Sequence, residues 1–580
     1  MHILDPRIHL PGNGAPLATL VDLCRARATA EPDRPVFRHR SPDATLTLGE
    51  FDTRARALAV RLLDIVPAGS RALLGFAPGL DFAVGLAGCL YAGVVAVPVP
   101  PLGGPGARVE SVVRSARPGV VLSTARELAA LGELFHRTPA LADLVTIAVD
   151  TLDPTRADRW QRPDAGPDTV AYLQYSSGST GVPKGVTLTH ANVLHNLALI
   201  HQATTRPGDA EGEPRPTSVL WLPQHYNMGL IGSVLEPLYS GHDVVTMAAS
   251  AFVRSPYTWL RTLSDVGRVD TCAPNFALDL CTRRITGPQL DTLDLGGVEM
   301  LLIGGEPVRA ATLDRFHETF ARAGLRREAL VPAYGLAEST VLVTAGQIGQ
   351  GPVLLRVDRT ALSAGVARPV EPAAGGHVLV SSGAVPPSTT VVPVDTATGL
   401  ACDDGRVGEI HVSGPSVGAG YWNAGPDVPD VFGAVLPDHP DRRFLRTGDL
   451  GFRYDGELFV TGRAKDVIIV AGANHYPHDI EATVEQAHPA VRERGVCALG
   501  VDDGERERLV VLAEVVSGST VDGVELVQAI RRAVHVSHGL QAHGVELLAP
   551  GALPYTVNGK LRRADCLRAH LAGTLPRWVP

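Results

Sequence analysis

Lysine is almost missing from this chain of 580 residues. It has 52 Lys and Arg together, and only Lys184, Lys465 and Lys560 are lysine. Cysteine is sparse as well. The seven (24, 89, 272, 281, 402, 497, 566) are an odd number, widely spaced and without a Cys-x-x-Cys pair, which argues against a disulfide framework and against a zinc site. A reducing cytoplasm fits that usage best. No block of basic residues occurs, and the net charge is −9, so neither nucleic acid nor an anionic membrane surface is expected as a partner. The first seven residues, Met-His-Ile-Leu-Asp-Pro-Arg, lack the basic and apolar regions of a signal peptide. The one long uncharged run, Phe82 to Pro101, is interrupted by glycines and ends in prolines. It reads as a buried helix followed by a buried strand, Val94–Val99, and no membrane span is expected.

What remains is the composition of a soluble multidomain protein, 45% hydrophobic and 19% charged, in a chain longer than one core usually supports. The three lysines stand in glycine-containing runs: Ser-Ser-Gly-Ser-Thr-Gly-Val-Pro-Lys-Gly (176–185), Gly-Arg-Ala-Lys-Asp (462–466) and Val-Asn-Gly-Lys-Leu-Arg (557–562). A phosphate crowded by backbone amides often admits a compact ammonium and not a planar guanidinium. All three are therefore read as parts of one nucleotide-using site. The run at 176–185 is not the Gly-x4-Gly-Lys-Ser/Thr loop, because Pro183 and Gly185 flank Lys184.

From about 69 to 332, short β-branched runs alternate with helix-length segments, as in a parallel sheet covered by helices. Strands are expected at Arg71–Phe76, Val94–Val99, Val120–Ser123, Val145–Val149, Ala171–Tyr175, Val219–Leu222, Val244–Thr246, Met300–Ile303 and Leu330–Ala333. Helices are expected near 80–92, 189–201, 228–239, 274–284 and 308–323. The run at 176–185 would thus follow a strand and precede a helix beginning near Thr189. Residues 205–217 read as an exposed loop without chemistry. A β-rich subdomain begins near 375, and 463–580 reads as a small α+β domain containing the strand pair Val496–Val501 and Leu509–Val516.

The run at 175–185 resembles the phosphate loop of the adenylate-forming superfamily of acyl-CoA synthetases, luciferases and peptide-synthetase adenylation domains. Tyr334-Gly-Leu-Ala-Glu338, Arg446-Thr-Gly-Asp449, Gly462-Arg-Ala-Lys465-Asp466 and Asn558-Gly-Lys560 match in order. Within the superfamily the chain is most similar to fatty acyl-AMP ligases, through Leu-Pro-Gln-His-Tyr-Asn-Met-Gly-Leu-Ile-Gly (222–232), Ala-Pro-Asn-Phe-Ala-Leu-Asp-Leu-Cys (273–281), Gly-Glu-Pro-Val-Arg (305–309) and Asn-His-Tyr-Pro-His-Asp-Ile-Glu (474–481). The resemblance implies an α/β fold with a large adenylation domain, 1–462, of helix-covered, mostly parallel sheets plus the β-rich subdomain. A small mobile C-terminal domain, 463–580, would rotate between half-reactions. Residues 352–380 sit where these ligases carry an insertion that restrains the rotation and accompanies failure to use free CoA.

By the same resemblance, ATP and Mg²⁺ are the cofactors. Ser177, Gly178, Ser179, Thr180, Gly181 and Lys184 would hold the phosphates, and Glu338 would bind Mg²⁺, with Lys184, Glu338 and Lys560 as the catalytic set. Gly304, Gly305, Glu306, Tyr334, Gly335, Leu336 and Ala337 complete the nucleotide site, with Tyr334 offering its ring to adenine. Asp449 would accept the ribose hydroxyls and Arg463 assist there, and Lys465 is the hinge. A surface ion pair for Asp449 and Arg463, and a core role for Tyr334, are the plain alternatives. Trp221, Tyr226, Asn227, Met228, Gly229, Ile231, Gly232, Asn275 and Phe276 are expected along the acyl tunnel, with core packing as the alternative.

The chain departs from the family in places. Tyr226-Asn227 stands for a usual His-Asp, although His225 lies just upstream; Ile303 replaces an asparagine; Tyr555 and Val557 replace Lys-x-Ser; and Ile469 stands where many CoA ligases carry lysine. Acid selection is therefore expected to be unusual, toward a shorter, branched or functionalised acid. The implied activity is formation of an acyl-adenylate from a fatty or fatty-like carboxylic acid. Transfer to the phosphopantetheine thiol of a separate acyl carrier protein would follow. An acyl-CoA synthetase and an inactive binding homologue are the alternatives.

Overall fold

In the computed structural model, the structure describes residues 8–579 apart from 12–13, 15, 41–42, 103–106, 131–140, 142–143, 177–182, 207–214, 426–427, 471–472, 503–506 and 557–560. The chain forms two compact units. One gathers Met1–Val353, Val380–Val391 and Val412–Arg446; the other gathers Leu354–Leu379, Val392–His411 and Thr447–Pro580. This grouping divides the chain differently from a cut at 462/463.

The first unit holds two large sheets. One runs in the order Gly420–Tyr421, Lys184–Thr189, Val170–Ser176, Val95–Pro98, Arg71–Leu74, Val120–Ser123, Val145–Ala148. The other runs Thr344–Ala345, Leu330–Tyr334, Val298–Ile303, Val269–Ala273, Thr217–Leu220, Val244–Met247, Phe37–Arg40, Ala44–Leu46. Pairing in their interiors is parallel, and such strands are buried on both faces, so Val120–Ser123 and Val244–Met247 are buried at every position. The uncharged run folds as the helix Asp81–Ala92, buried from Phe82 onward, and the strand Val95–Pro98. Among the described residues no helix is long and apolar enough to cross a membrane, and the seven cysteines are free.

Two helices lie ahead of the first expected strand. Leu20–Ala30 and Leu48–Leu63 are each opened by a capping box, Thr19 with Asp22 and Thr47 with Glu50, in which side chain and backbone satisfy each other's free N–H groups. A second difference concerns Lys184. It opens a strand, Lys184–Thr189, antiparallel to Val170–Ser176, because Val186, Thr187 and Thr189 favour extended backbone. The helix His190–Thr204 begins only after this strand, capped by Thr189 and Asn192. The run at 176–185 therefore stands between two strands and not directly before that helix.

In the second unit, Val491–Asp502 pairs antiparallel with Glu507–Val515, which pairs parallel with Gly544–Leu548. Helices Pro477–Glu485 and Gly523–His538 contribute Ile480, Val484, Leu526, Ile530 and Val534 to its apolar core. Leu354–Leu379 belongs to the same unit. Its Val357, Leu362, Ala367 and Leu379 pack with Phe452, Phe459 and Tyr476, and His377 Nε2 lies 3.5 Å from Asp479 Oδ2.

Candidate active site

The strand Leu330–Tyr334 ends in a forced reversal. A Cβ on Gly335 would sit 1.7 Å from Val341 O, so only glycine fits. One turn of 3₁₀ helix, Ala337–Ser339, follows, and then Thr340 takes φ 63°, a left-handed conformation that costs a β-branched residue about 1–3 kcal/mol. Its surroundings hold it there. Thr340 Oγ1 donates to Ser416 O at 2.8 Å, and buried Asn196 bridges Leu342 O, Leu342 N and Ser416 Oγ at 2.8, 3.1 and 3.0 Å. Val343 N closes the loop on Tyr334 O at 2.9 Å. The carboxylate of Glu338 is thus carried on a pinned turn.

Tyr421 organises that carboxylate. Its hydroxyl donates to Glu338 Oε1 at 2.8 Å, and the Lys184 ammonium lies 5.0 Å from the centre of its ring, within cation–π range. Tyr421 reaches this position because Gly420–Tyr421 pairs antiparallel with the Lys184 strand, Tyr421 opposite Val186. Gly418 N also donates to Glu338 O at 2.9 Å. Sequence reading missed Tyr421, although an aromatic closing the glycine-containing run Ser-Gly-Pro-Ser-Val-Gly-Ala-Gly (413–420) is a visible signal. Of the expected phosphate-binding residues, 177–181 lie outside the described residues, as does Lys560.

Gly304 and Gly305 follow the neighbouring strand Val298–Ile303, with Gly304 N donating to Ala273 O at 3.3 Å and Gly305 at φ 80°. Tyr334 is buried at the end of the adjacent strand. Glu306 Oε1 accepts Phe276 N at 2.6 Å, and Asn275 Oδ1 accepts Arg309 N at 3.0 Å. Leu336 and Ala337 form the bend before Glu338.

A cavity of about 90 Å³ opens beside these elements, lined among others by Met228, Ile231, Gly232, Leu220, Val341 and Leu342. Asn227–Leu230 is α-helical, Ile231–Leu235 widens into a π turn and Glu236–Ser240 resumes the α form; such widened turns recur at functional sites. Gly229 is required there, since a Cβ would meet Pro223 O at 2.0 Å. Met228 lines the cavity and also approaches the Gly304–Gly305 turn, its Sδ lying 3.2 Å from where a Cβ on Gly305 would be. Asn227 Nδ2 is 3.5 Å from Thr340 O, and the Tyr226 ring lies 4.3 Å from that of His225. Of the residues expected along the acyl tunnel, Met228, Ile231 and Gly232 line this cavity, and Trp221, Tyr226, Asn227, Gly229, Asn275 and Phe276 do not. Trp221 stacks on Phe252 at 3.9 Å and meets Phe276 edge-on at 6.0 Å.

In the second unit, Asp449 and Arg463 are register partners on adjacent strands, with Arg463 Nε 3.0 Å from Asp449 Oδ1. The carboxylate is 5% exposed, and Asp449 N donates to Thr447 Oγ1 at 3.1 Å. The pair has the geometry of an ion pair. Lys465 follows in the turn Ala464–Asp466, where burial lowers its pKa against the opposing pull of Asp466. Among the described residues no group of three His, Cys, Asp or Glu side chains could hold a metal ion.

Comparison with known proteins agrees with this geometry. The family model described as AMP-binding enzyme matches residues 24–422, and one described as Disco-interacting protein 2-like, AMP domain, matches 465–578. The chain is 39% identical to the medium-chain fatty acid–acyl carrier protein ligase JamA of Moorena producens, over 97% of this chain and 96% of the relative. It is 36% identical to a long-chain fatty acid–AMP ligase of Mycolicibacterium smegmatis, over 91% and 89%. Among solved structures, the fatty acyl-adenylate ligase of L. pneumophila in complex with acyl adenylate and pyrophosphate superposes with a TM-score of 0.74 at 34% identity, covering 96% of this chain and 97% of that one. The chain therefore belongs to the AMP-binding enzyme family and, within it, to the fatty acyl-AMP ligases.

Proposed function

We propose that this protein activates a fatty or fatty-like carboxylic acid with ATP to an acyl-adenylate, releasing pyrophosphate, and then passes the acyl group to the phosphopantetheine thiol of a separate carrier protein. Enzymes of this family use ATP. The observation that carries the reading is the meeting of Glu338 and Lys184 on the ring of Tyr421, beside a cavity that begins at Met228. A carboxylate attacking the α-phosphorus brings like charges together, so the site must neutralise nucleophile and leaving group before the bond changes. Lys184, which opens the strand Lys184–Thr189, supplies positive charge toward the pyrophosphate. By resemblance, Lys560, which lies outside the described residues, would neutralise the acid carboxylate and the α-phosphate.

Glu338 fits Mg²⁺. Its Oε1 already accepts one hydrogen bond, and a single carboxylate supplies the anionic oxygen for a hard cation that keeps water and phosphate oxygens as its other ligands. When bound, the ion would offset phosphate charge. Asp449, steadied by Arg463, takes the ribose hydroxyls; Tyr334 and the Gly304–Glu306 turn flank the nucleotide. The acyl chain enters along Met228, Ile231 and Gly232, with Tyr226 and Asn227 at its entrance.

Preference for a carrier thiol over free CoA is supported by Leu354–Leu379, which is held against Phe452, Phe459 and Tyr476 and would restrain rotation of residues 463–580 about Lys465. The test is mass spectrometry of the protein with MgATP and a panel of acids, each with buffer, CoA or a phosphopantetheinylated carrier. Adenylate that persists with CoA and is consumed with carrier is the expected result. Prompt conversion to acyl-CoA overturns it.

A further inference from the structure

The cavity beside Met228 changes character along its length. Three neighbouring strands present residues to it in pairs two apart: Ser218 and Leu220, Asp270 and Cys272, Met300 and Leu302. That is the repeat of one strand face. The register sets Asp270 beside Ser218 and Met300, and Cys272 beside Leu302. Asp270 therefore lies about 6–7 Å nearer the amino ends of the strands than Cys272, and farther from Ala273, whose carbonyl accepts Gly304 N. On the helical wall, Met228 approaches the Gly305 turn, while Glu236 stands two turns later, roughly 12 Å along the axis. Both walls grade from apolar near the nucleotide turn to ionisable at the far end. There Glu236, Asp270 and His242 line the cavity.

Two buried oxygens at that end lack a donor. Asp270 is 3% exposed and Glu236 7%, and among the described residues neither Asp270 Oδ2 nor Glu236 Oε1 accepts a hydrogen bond. The other Asp270 oxygen is paired with Arg206, whose Nε is 3.1 Å from Glu299 Oε2. Arg268 holds Glu299 at 2.6 Å, so Arg206 is shared between two acids. The segment 205–217, read from sequence as a loop without chemistry, thus contributes a partly buried cation. Glu236 Oε1 is 3.7 Å from His242 Nδ1. A buried acceptor without a donor is destabilising until a donor reaches it.

We propose that the acid this protein activates ends, opposite its carboxylate, in a hydrogen-bond donor, an amine or a hydroxyl, accepted by Glu236 and Asp270. The proposal rests on the acid-activating function above and adds the substrate class. Burial pushes both carboxyls up to about 7, so each can meet a neutral hydroxyl or ionise opposite an ammonium. Cys272 on the same wall is pushed up to about 12 by burial and then by the charge of Glu236, which makes it a wall group and not a nucleophile. A volume of about 90 Å³ takes roughly six to nine water-sized groups, so the chain is of short to medium length. A methyl-terminated chain of equal length fills the same space and strands both acceptors. Sites built for a donor discriminate strongly against analogues lacking it.

The test pairs ω-amino and ω-hydroxy acids of about six to ten carbons with methyl-terminated isosteres, each measured for adenylate formation by wild type, Glu236→Leu and Glu236→Gln. Wild type is expected to favour at least one donor-terminated series by about 10- to 100-fold in kcat/KM; the better arm separates amine from hydroxyl. E236L should narrow or reverse the preference, and E236Q should retain a preference for hydroxyl. Equal or better turnover of the methyl-terminated acids overturns the proposal, as does an E236L variant that lowers both series alike. Calorimetric binding of the same acids without ATP separates the two levels of the reasoning. Glu236-dependent binding of donor-terminated acids without adenylation of any acid would sink the ligase function alone, and absence of such binding would sink the donor site.

Discussion

Replacing Tyr421 by phenylalanine removes one oxygen from the candidate site and leaves its frame in place. The ring stays under the Lys184 ammonium, 5.0 Å from its centre, and the strand pairing of Tyr421 with Val186 uses backbone atoms only. What is lost is the 2.8 Å hydrogen bond to Glu338 Oε1. A hydrogen bond to a charged acceptor contributes about 1.5–3 kcal/mol, and at about 1.4 kcal/mol per factor of ten this converts to roughly 10- to 150-fold in adenylation if the bond orients Glu338 for its task. The assay is pyrophosphate release across a Mg²⁺ titration, with the unfolding midpoint measured alongside. Y421F should need more Mg²⁺ for half-maximal rate while unfolding as the wild type does. Tyr421→Leu, which also removes the cation–π contact of about 0.5–1 kcal/mol, should be slower again. A Y421F enzyme with unchanged rate and unchanged Mg²⁺ dependence would refute the role given to this tyrosine and weaken the placement of the ion at Glu338.

Gly335→Ala should lower stability by about 3 kcal/mol, since its Cβ would fall 1.7 Å from a backbone oxygen; a chemical denaturation curve superimposable on the wild type would contradict the geometry. Thr340→Val keeps the branched side chain at φ 63° but removes the hydroxyl bonded to Ser416 O, and a loss of about 1–2 kcal/mol is expected by the same measurement. Burial lowers His190 from 6.5 to about 4, and its Nδ1 accepts Leu20 N at 3.1 Å. The unfolded chain binds this proton more readily, so the stabilising contribution is intact above pH about 6.5 and is lost as pH falls toward 4, on the order of 3 kcal/mol in all. His190→Gln should flatten the acid limb of the stability profile, and an unaltered limb would assign the acid sensitivity elsewhere. Leu362→Ala, loosening the insertion by about 2–4 kcal/mol of packing, should let acyl-CoA appear where wild type forms none.

How far the site was legible depended on whether its parts were local in sequence. The run ending at Glu338 announces itself because backbone geometry fixes its spacing, as the obligatory Gly335 illustrates. Most of the parallel strands were legible through β-branched runs, though Val269–Ala273 and Phe37–Arg40 were missed, and the buried helix after Phe82 was legible through its uninterrupted apolarity. The helices Leu20–Ala30 and Leu48–Leu63 were overlooked although Thr19-x-x-Asp22 and Thr47-x-x-Glu50 are ordinary start signals. Tyr421 could not be assigned because its meaning lies in a pairing between residues 186 and 421. The polar end of the cavity was hidden for the same reason. Asp270, Glu236 and Arg206 come from a strand, a helix and a loop edge, and nothing near any of them in sequence marks them as neighbours.

The segment Leu354–Leu379 shows how a position in sequence becomes a mechanical statement. Read along the chain it lies within the large domain, where by resemblance these ligases carry an insertion. In the fold its four buried apolar side chains join the stacked pair Phe452 and Phe459, whose ring centres are 5.2 Å apart, and the join extends to Tyr476 at the start of the helix Pro477–Glu485. The contact therefore spans the Lys465 turn, with Phe452 and Phe459 before it and Tyr476 after. On the proposed function, a rotation about Lys465 must either carry Leu354–Leu379 along with residues beyond the turn or break this cluster. Removing Tyr476 from buried contact would by itself cost about 1.5–3 kcal/mol of apolar burial, a factor of roughly 10–150 against the rotated form. A bound carrier protein can supply free energy of that size through an interface of its own, whereas free CoA must do so with far fewer contacts. On this argument selectivity between thiols does not require a pocket that excludes CoA; it requires only a hinge whose closed state is stabilised by more than CoA returns.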